Sequence, residues 1–162
     1  MRFHIVLHQP RIPQNTGNIG RLCYASNAVL HLIYPIGFSI TQKELKRAGM
    51  DYWEHLEVYE YANTEAFYTK HPDLSCETHA IPHFYLTTKA TTPYYEAKMQ
   101  GGAYLHFGRE DAGLSAEILH THARQCYTIP MENGARSLNL ATSVGIVLYD
   151  GIRQSRILKQ YV

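Results

Sequence analysis

The sequence predicts an α/β fold, a mostly parallel sheet flanked by helices, and two features carry that expectation. Six short apolar runs rich in β-branched and aromatic residues recur along the chain, and helix-compatible stretches separate most of them. At 162 residues the chain also has the length of one ordinary domain, enough to bury about 70% of its unfolded surface in a single core. No repeat, low-complexity tract or linker interrupts 1–162, so one domain is expected throughout.

Taken in order, the expected strands are Phe3–Leu7, Leu30–Tyr34, Glu57–Tyr61, Phe84–Thr87, Tyr104–Phe107 and Cys126–Ile129, each bounded by Pro, Gly or polar clusters. The expected helices between them are Gly17–Ala28, Thr41–Ala48, Thr64–Lys70 and Leu114–His120. Thr41 and Glu44 form a capping box, and Gly49 supplies the stop. That helix carries Lys43, Lys46 and Arg47, which suit either a solvated face or a phosphate-facing rim. The final helix, Ser137–Gln154, has Ser137 as its candidate N-cap. Leu138, Ala141, Gly145, Leu148 and Ile152 form one apolar stripe on it, narrow enough at Ala141 and Gly145 to admit another backbone in the core or across an interface.

Composition narrows the class without naming a partner. Hydrophobic residues at 45%, charged residues at 18% and 13 Tyr exclude a disordered chain. Lys+Arg 15 against Asp+Glu 14 leaves a net charge of +1, so any basic surface for nucleic acid must be local or assembled between subunits. The opening Met1–Pro10 is too short an apolar run for a signal peptide and no later run is long enough for a bilayer, so a cytoplasmic protein without membrane association is expected. Three well-separated cysteines, Cys23, Cys76 and Cys126, suggest reduced thiols rather than a disulfide framework.

Three polar loops stand out, all at strand-to-helix positions. The first runs from His8 to Arg21. Its Asn15, Gly17 and Gly20 share the spacing of the dinucleotide fingerprint, but two prolines separate them from the strand, and Tyr34-Pro35 stands where that fingerprint wants an acid. What remains is a polar loop feeding a helix N-terminus suited to a phosphate, with Arg21 about one turn inside the helix. The second, Gly108–Ser115, has glycines at both ends that permit unusual angles and close approach to a ligand, and Arg109, Glu110 and Asp111 between them. The third, Ile129–Leu140, holds Arg136, Ser137 and Asn139. In a parallel sheet such loops gather beyond the carboxyl ends of the strands, so their convergence marks the expected site. Cys76, His79, His83, His120, His122 and Cys126 include zinc-ligand types, but their spacing matches no common finger and no metal is expected. No G-x-S-x-G elbow supports a nucleophilic triad.

In this order the three loops resemble the motifs of the SPOUT class of S-adenosylmethionine-dependent RNA methyltransferases, most closely the small single-domain group that 2′-O-methylates the wobble nucleotide of tRNA. The residues carrying the resemblance are 12–23, 30–38, 45–52, Leu86–Lys89, Phe107–Glu110, Ile129–Met131 and Arg136–Leu140, nearly the whole chain. The resemblance implies a C-terminal trefoil knot, a homodimer, S-adenosyl-L-methionine as cofactor with no metal, and a tRNA anticodon loop as substrate. It implies cofactor contacts from Leu86, Gly108, Glu110, Ile129 and Ser137. Arg21 is implied at the reacting hydroxyl, with Arg136, Asn139 and Tyr149 linked to catalysis and Asn15, Asn18, Lys46 and Arg47 facing the substrate. Asp111-Ala112 and Ala141-Thr142 depart from the family's usual residues, and 71–83 is longer than usual. The competing readings are a non-catalytic RNA-binding module on the same scaffold, methylation at another RNA position, and a zinc-stabilised interaction domain.

Overall fold

A computed structural model describes residues 2–41, 51–74 and 80–160. The helix expected at Thr41–Ala48, with Lys46 and Arg47, lies largely outside the described residues, as do Cys76 and His79. Six strands, β1 (His4–His8), β2 (Val29–Ile33), β3 (Val58–Tyr61), β4 (His83–Leu86), β5 (Tyr104–Phe107) and β6 (Cys126–Tyr127), form one sheet in the order β3-β2-β1-β5-β4-β6. Every pairing is parallel. The helices are α1 (Pro13–Ser26), α2 (Thr64–Lys70), α3 (Ala116–Thr121) and α4 (Leu140–Gln160), and a 3₁₀ turn spans Asp51–His55. No described helix is long and apolar enough to cross a membrane.

Strand alternation gives the sheet two unlike faces. Ile5 and Leu7 of β1, Leu30 and Leu32 of β2, Phe84 and Leu86 of β4, and Leu105 and Phe107 of β5 point to one side. They share a hydrophobic core with Ile19 and Cys23 of α1 and Val144, Val147 and Leu148 of α4. Burial pushes the Cys23 thiol up to about 12, so it stays protonated and inert. The opposite side carries His4 and His8, His31, His83 and Tyr85, and Tyr104 and His106, around Phe67 of α2.

These histidines satisfy one another across strands. His106 bridges His8 and His83, each at 2.9 Å. A second chain runs His4 to His31 (2.9 Å), His31 to the Tyr61 hydroxyl (3.0 Å), Tyr61 to His71 (2.9 Å) and His71 to the Tyr104 hydroxyl (2.8 Å). A neutral imidazole has one donor and one acceptor nitrogen, so such chains close without charge. Burial lowers His8 and His31 to about 3 and His4 and His83 to about 4, and holds fully buried His106 well below the usual imidazole range. Two histidines of the Cys/His group thus have structural partners: His83 in this chain, and His122 with Asp73 at 2.9 Å.

Three helix starts differ from expectation, the smallest shift being in α3, which begins at Ala116 rather than Leu114 because Ser115 caps it by accepting from the Ile118 N–H. α1 begins at Pro13, four residues before Gly17, because Pro13 occupies the first turn, where a missing N–H costs nothing, and the cap comes from elsewhere in the chain. Arg21 consequently lies about two turns inside the helix rather than one. α4 begins at Leu140, not Ser137. Asn139 is the N-cap, its Oδ1 accepting the Thr142 N–H at 3.1 Å, so Ser137 is left in the loop. The stripe on α4 faces inward at its centre: Leu148 is fully buried and Gly145 stands opposite Leu22 of α1.

Candidate functional site

Chain order reverses direction in the sheet between β1 and β5, the position at which open parallel sheets place ligands beyond the carboxyl ends of their strands. A cleft of about 530 Å³ occupies this end of the sheet. Its walls come from the ends of β4 (Leu86–Lys89) and β5 (Phe107–Leu114), the exit of β6 (Thr128, Ile129, Met131), and the start of α4 (Ser137–Leu140). Apolar Leu86, Phe107, Ile129 and Leu140 form much of the lining, and Thr87, Ser137 and Asn139 add polar groups. That size, with an apolar wall and polar and charged groups such as Lys89, Arg109 and Asp111 beside it, suits a nucleoside-sized ligand.

The three loops are tied together by one polar line. Glu110 Oε2 accepts from Arg11 N–H at 2.8 Å, and Oε1 accepts from Ile12 N–H at 3.1 Å and Asn15 Nδ2 at 3.2 Å. Asn139 Nδ2 donates to Asn15 Oδ1 at 2.9 Å, while Asn139 Oδ1 caps α4. The α1 N-terminus, expected to meet a phosphate, is therefore held by the Glu110 carboxylate, an anion that satisfies otherwise unpaired donors and complements the helix dipole. Gly108 also approaches something other than expected. A Cβ there would lie 2.0 Å from Gly113 C and 2.1 Å from Leu114 N, so its bareness lets the loop close on itself. The closure is a reciprocal pair, Arg109 N–H to Gly113 O at 3.1 Å and Gly113 N–H to Arg109 O at 2.9 Å, with Gly113 at φ +69°. At the rim Arg109 grips Asp111 through two bonds of 2.8 and 2.6 Å, holding the exposed carboxyl below its usual range.

The structure thus brings Asn15, Leu86, Gly108, Glu110, Ile129, Ser137 and Asn139 to one cleft. It leaves Asn18, Arg21, Arg136 and Tyr149 outside that lining, all exposed. Asn15 is buried, with both ends of its amide engaged inside the protein. Sequence reasoning missed Ile12 and Ser143 in the lining and Thr142 as the capped residue. The N-cap spacing of Asn139 and Thr142 was a readable signal, masked by the nearby Ser137.

Comparison with known proteins places this architecture. The SpoU rRNA Methylase family profile matches residues 2–149. A tRNA (cytidine(34)-2′-O)-methyltransferase from Escherichia coli (strain K12) is 43% identical over 155 residues, 94% of this chain and 93% of the relative. One with the same name from Yersinia pestis is 41% identical over 153 residues, again 94% and 93%. A solved structure giving insights into the 2-OH methylation of C/U34 on tRNA is similar at a TM-score of 0.83 and 40% identity, covering 94% of this chain and 95% of its own. An AdoMet-bound rRNA methyltransferase from Sinorhizobium meliloti reaches a TM-score of 0.76 at 26% identity, over 94% of this chain and 56% of that one. The likeness covers nearly the whole chain, and on that ground this chain belongs to the SpoU rRNA Methylase family.

Proposed function

We propose that this protein transfers a methyl group from S-adenosyl-L-methionine to the ribose 2′-hydroxyl of the wobble pyrimidine nucleotide of tRNA. The observation that carries the reading is the likeness to named tRNA (cytidine(34)-2′-O)-methyltransferases along nearly the full length of both chains. The cleft supports it physically, since its volume, apolar wall and converging loop backbones fit an adenosyl group. In this reading Leu86, Gly108, Ile129 and Ser137 hold the cofactor, while Glu110 braces the wall that Asn15 and Asn139 complete. When bound, the cofactor supplies a sulfonium methyl that is already strongly electrophilic.

The chain's own contribution is then alignment and charge. A guanidinium is a poor general base, so the role of Arg21 is to stabilise the developing alkoxide or an adjacent phosphate rather than to remove the proton. With Arg21 outside the lining of its own cleft, the reading includes a homodimer in which the partner's Arg21 approaches this cleft and the cations of two near-neutral subunits are pooled on the RNA. Asn18, Lys46, Arg47, Arg136 and Tyr149 are assigned to the substrate side, in the cytoplasm where tRNA resides. The reading also includes a C-terminal trefoil knot. A parallel bridge, with Tyr94 N–H to Thr128 O at 2.8 Å and Thr128 N–H to Thr92 O at 2.9 Å, lays 92–94 alongside the segment that leads from β6 toward α4.

The direct test incubates the purified protein with S-adenosyl-L-methionine and unmodified tRNA, then digests the RNA to nucleosides for mass spectrometry. We expect 2′-O-methylcytidine or 2′-O-methyluridine. A methyl found only on a base would refute the reaction class.

A further inference from the structure

An arginine on an exposed helix face explores many rotamers unless something fixes it, and Arg21 is such a residue. The 3₁₀ turn Asp51–His55 lies against α1 beside it, and Gly20 makes that approach possible. A Cβ on Gly20 would come within 2.6 Å of Trp53 Cζ3 and 3.2 Å of Leu56 Cδ2. With Trp53 seated there, the preceding residue, Tyr52, reaches Arg21. Its ring lies under the guanidinium, 5.5 Å from Cζ to the ring centroid, and its hydroxyl donates to Gly17 O. Helical pairing assigns that same carbonyl to the Arg21 N–H, so the hydroxyl and Arg21 meet at one acceptor.

An aromatic face fixes the plane of a guanidinium without cancelling its charge, which a carboxylate would do. Among the described residues no carboxylate lies within ion-pair distance of Arg21. The ring thus orients the guanidinium without neutralising it. We propose that Tyr52 is a positioning residue for methyl transfer: its hydroxyl anchors it to α1 at Gly17 O, and its ring face holds the Arg21 guanidinium in the orientation that meets the substrate. This rests on the assignment of Arg21 to the reacting hydroxyl.

The test measures kcat and KM for methyl transfer to tRNA by the full chain and by Y52F, Y52L, R21A and R21K, with Y52F and Y52L also placed in the R21K background. Cofactor affinity by calorimetry and thermal midpoints are recorded for each. Losing one hydrogen bond beside a charged group, Y52F should lower kcat by about tenfold. Y52L, losing the ring as well, should lower it further, with cofactor affinity and melting unchanged in both. In R21K, whose ammonium lacks the planar stacking surface, neither Tyr52 substitution should cost more. Wild-type kcat in both Tyr52 variants, equal losses in both backgrounds, or losses that follow a drop in melting temperature would overturn the proposal while sparing the role of Arg21. Wild-type turnover in R21A would remove that role and the proposal with it.

Discussion

At the scale of single residues, the cleft depends most on one that has no side chain. Gly108 sits where any Cβ would strike the backbone of Gly113 and Leu114, atoms that cannot give way without breaking the Arg109–Gly113 pair. Gly108→Ala is expected to destabilise the fold by about 1–3 kcal/mol, the usual cost of overpacking, and to abolish cofactor binding because the wall it closes is displaced. Urea unfolding and calorimetry with S-adenosyl-L-methionine check both halves. Wild-type affinity in the folded variant would show that the loop closure is irrelevant to the site. The sequence announced this glycine but not its reason: two glycines around charged residues are equally compatible with ligand approach and with self-closure. Only the tertiary path of Gly113 decides between them.

At the scale of elements, α1 is held at its N-terminus by a carboxylate from 98 and 99 residues away. Ile12, its N-cap, provides no side-chain bond of its own. Removing the carboxylate by Glu110→Ala should therefore cost about 1–2 kcal/mol, as loss of a cap does, and should also leave Asn15 Nδ2 without its acceptor. A loss below a few tenths of a kcal/mol in urea unfolding would mean that water replaces the cap. This cap also explains which boundaries were legible. The strands were readable because β-branched and aromatic runs between breakers are local signals, and α2 was readable because Asn63 caps it from the adjacent position. The start of α1 was not, since local rules look for Ser, Thr, Asp or Asn beside the helix and its cap comes from Glu110. The histidine face escaped for the same reason. An imidazole in a strand looks polar until its partner appears, and His8 meets His106 across 98 residues.

At the scale of the whole molecule, that histidine face sets the pH range of the fold. His4, His8, His31, His83 and His106 are held neutral below the ordinary value of 6.5, whereas the unfolded chain takes up protons as pH falls through that value. Stability is therefore full above about pH 6.5 and is lost progressively as pH falls toward 4, with several protons taken up on unfolding. Thermal midpoints between pH 8 and pH 4 should hold steady and then drop steeply near pH 5, and a flat profile to pH 4 would contradict the buried network. Pooling of cations between subunits predicts a dimer at micromolar concentration by sedimentation, and a monomer there would leave Arg21 without a neighbouring cleft. The central claim is the chemistry at the wobble ribose, tested most directly by mass spectrometry of tRNA from cells that carry the gene and cells from which it is deleted. The claim predicts that 2′-O-methylation at position 34 disappears with the gene and returns with the wild-type chain but not with Arg21→Ala. Unchanged ribose methylation at position 34, with a methyl lost from another nucleotide, would contradict it.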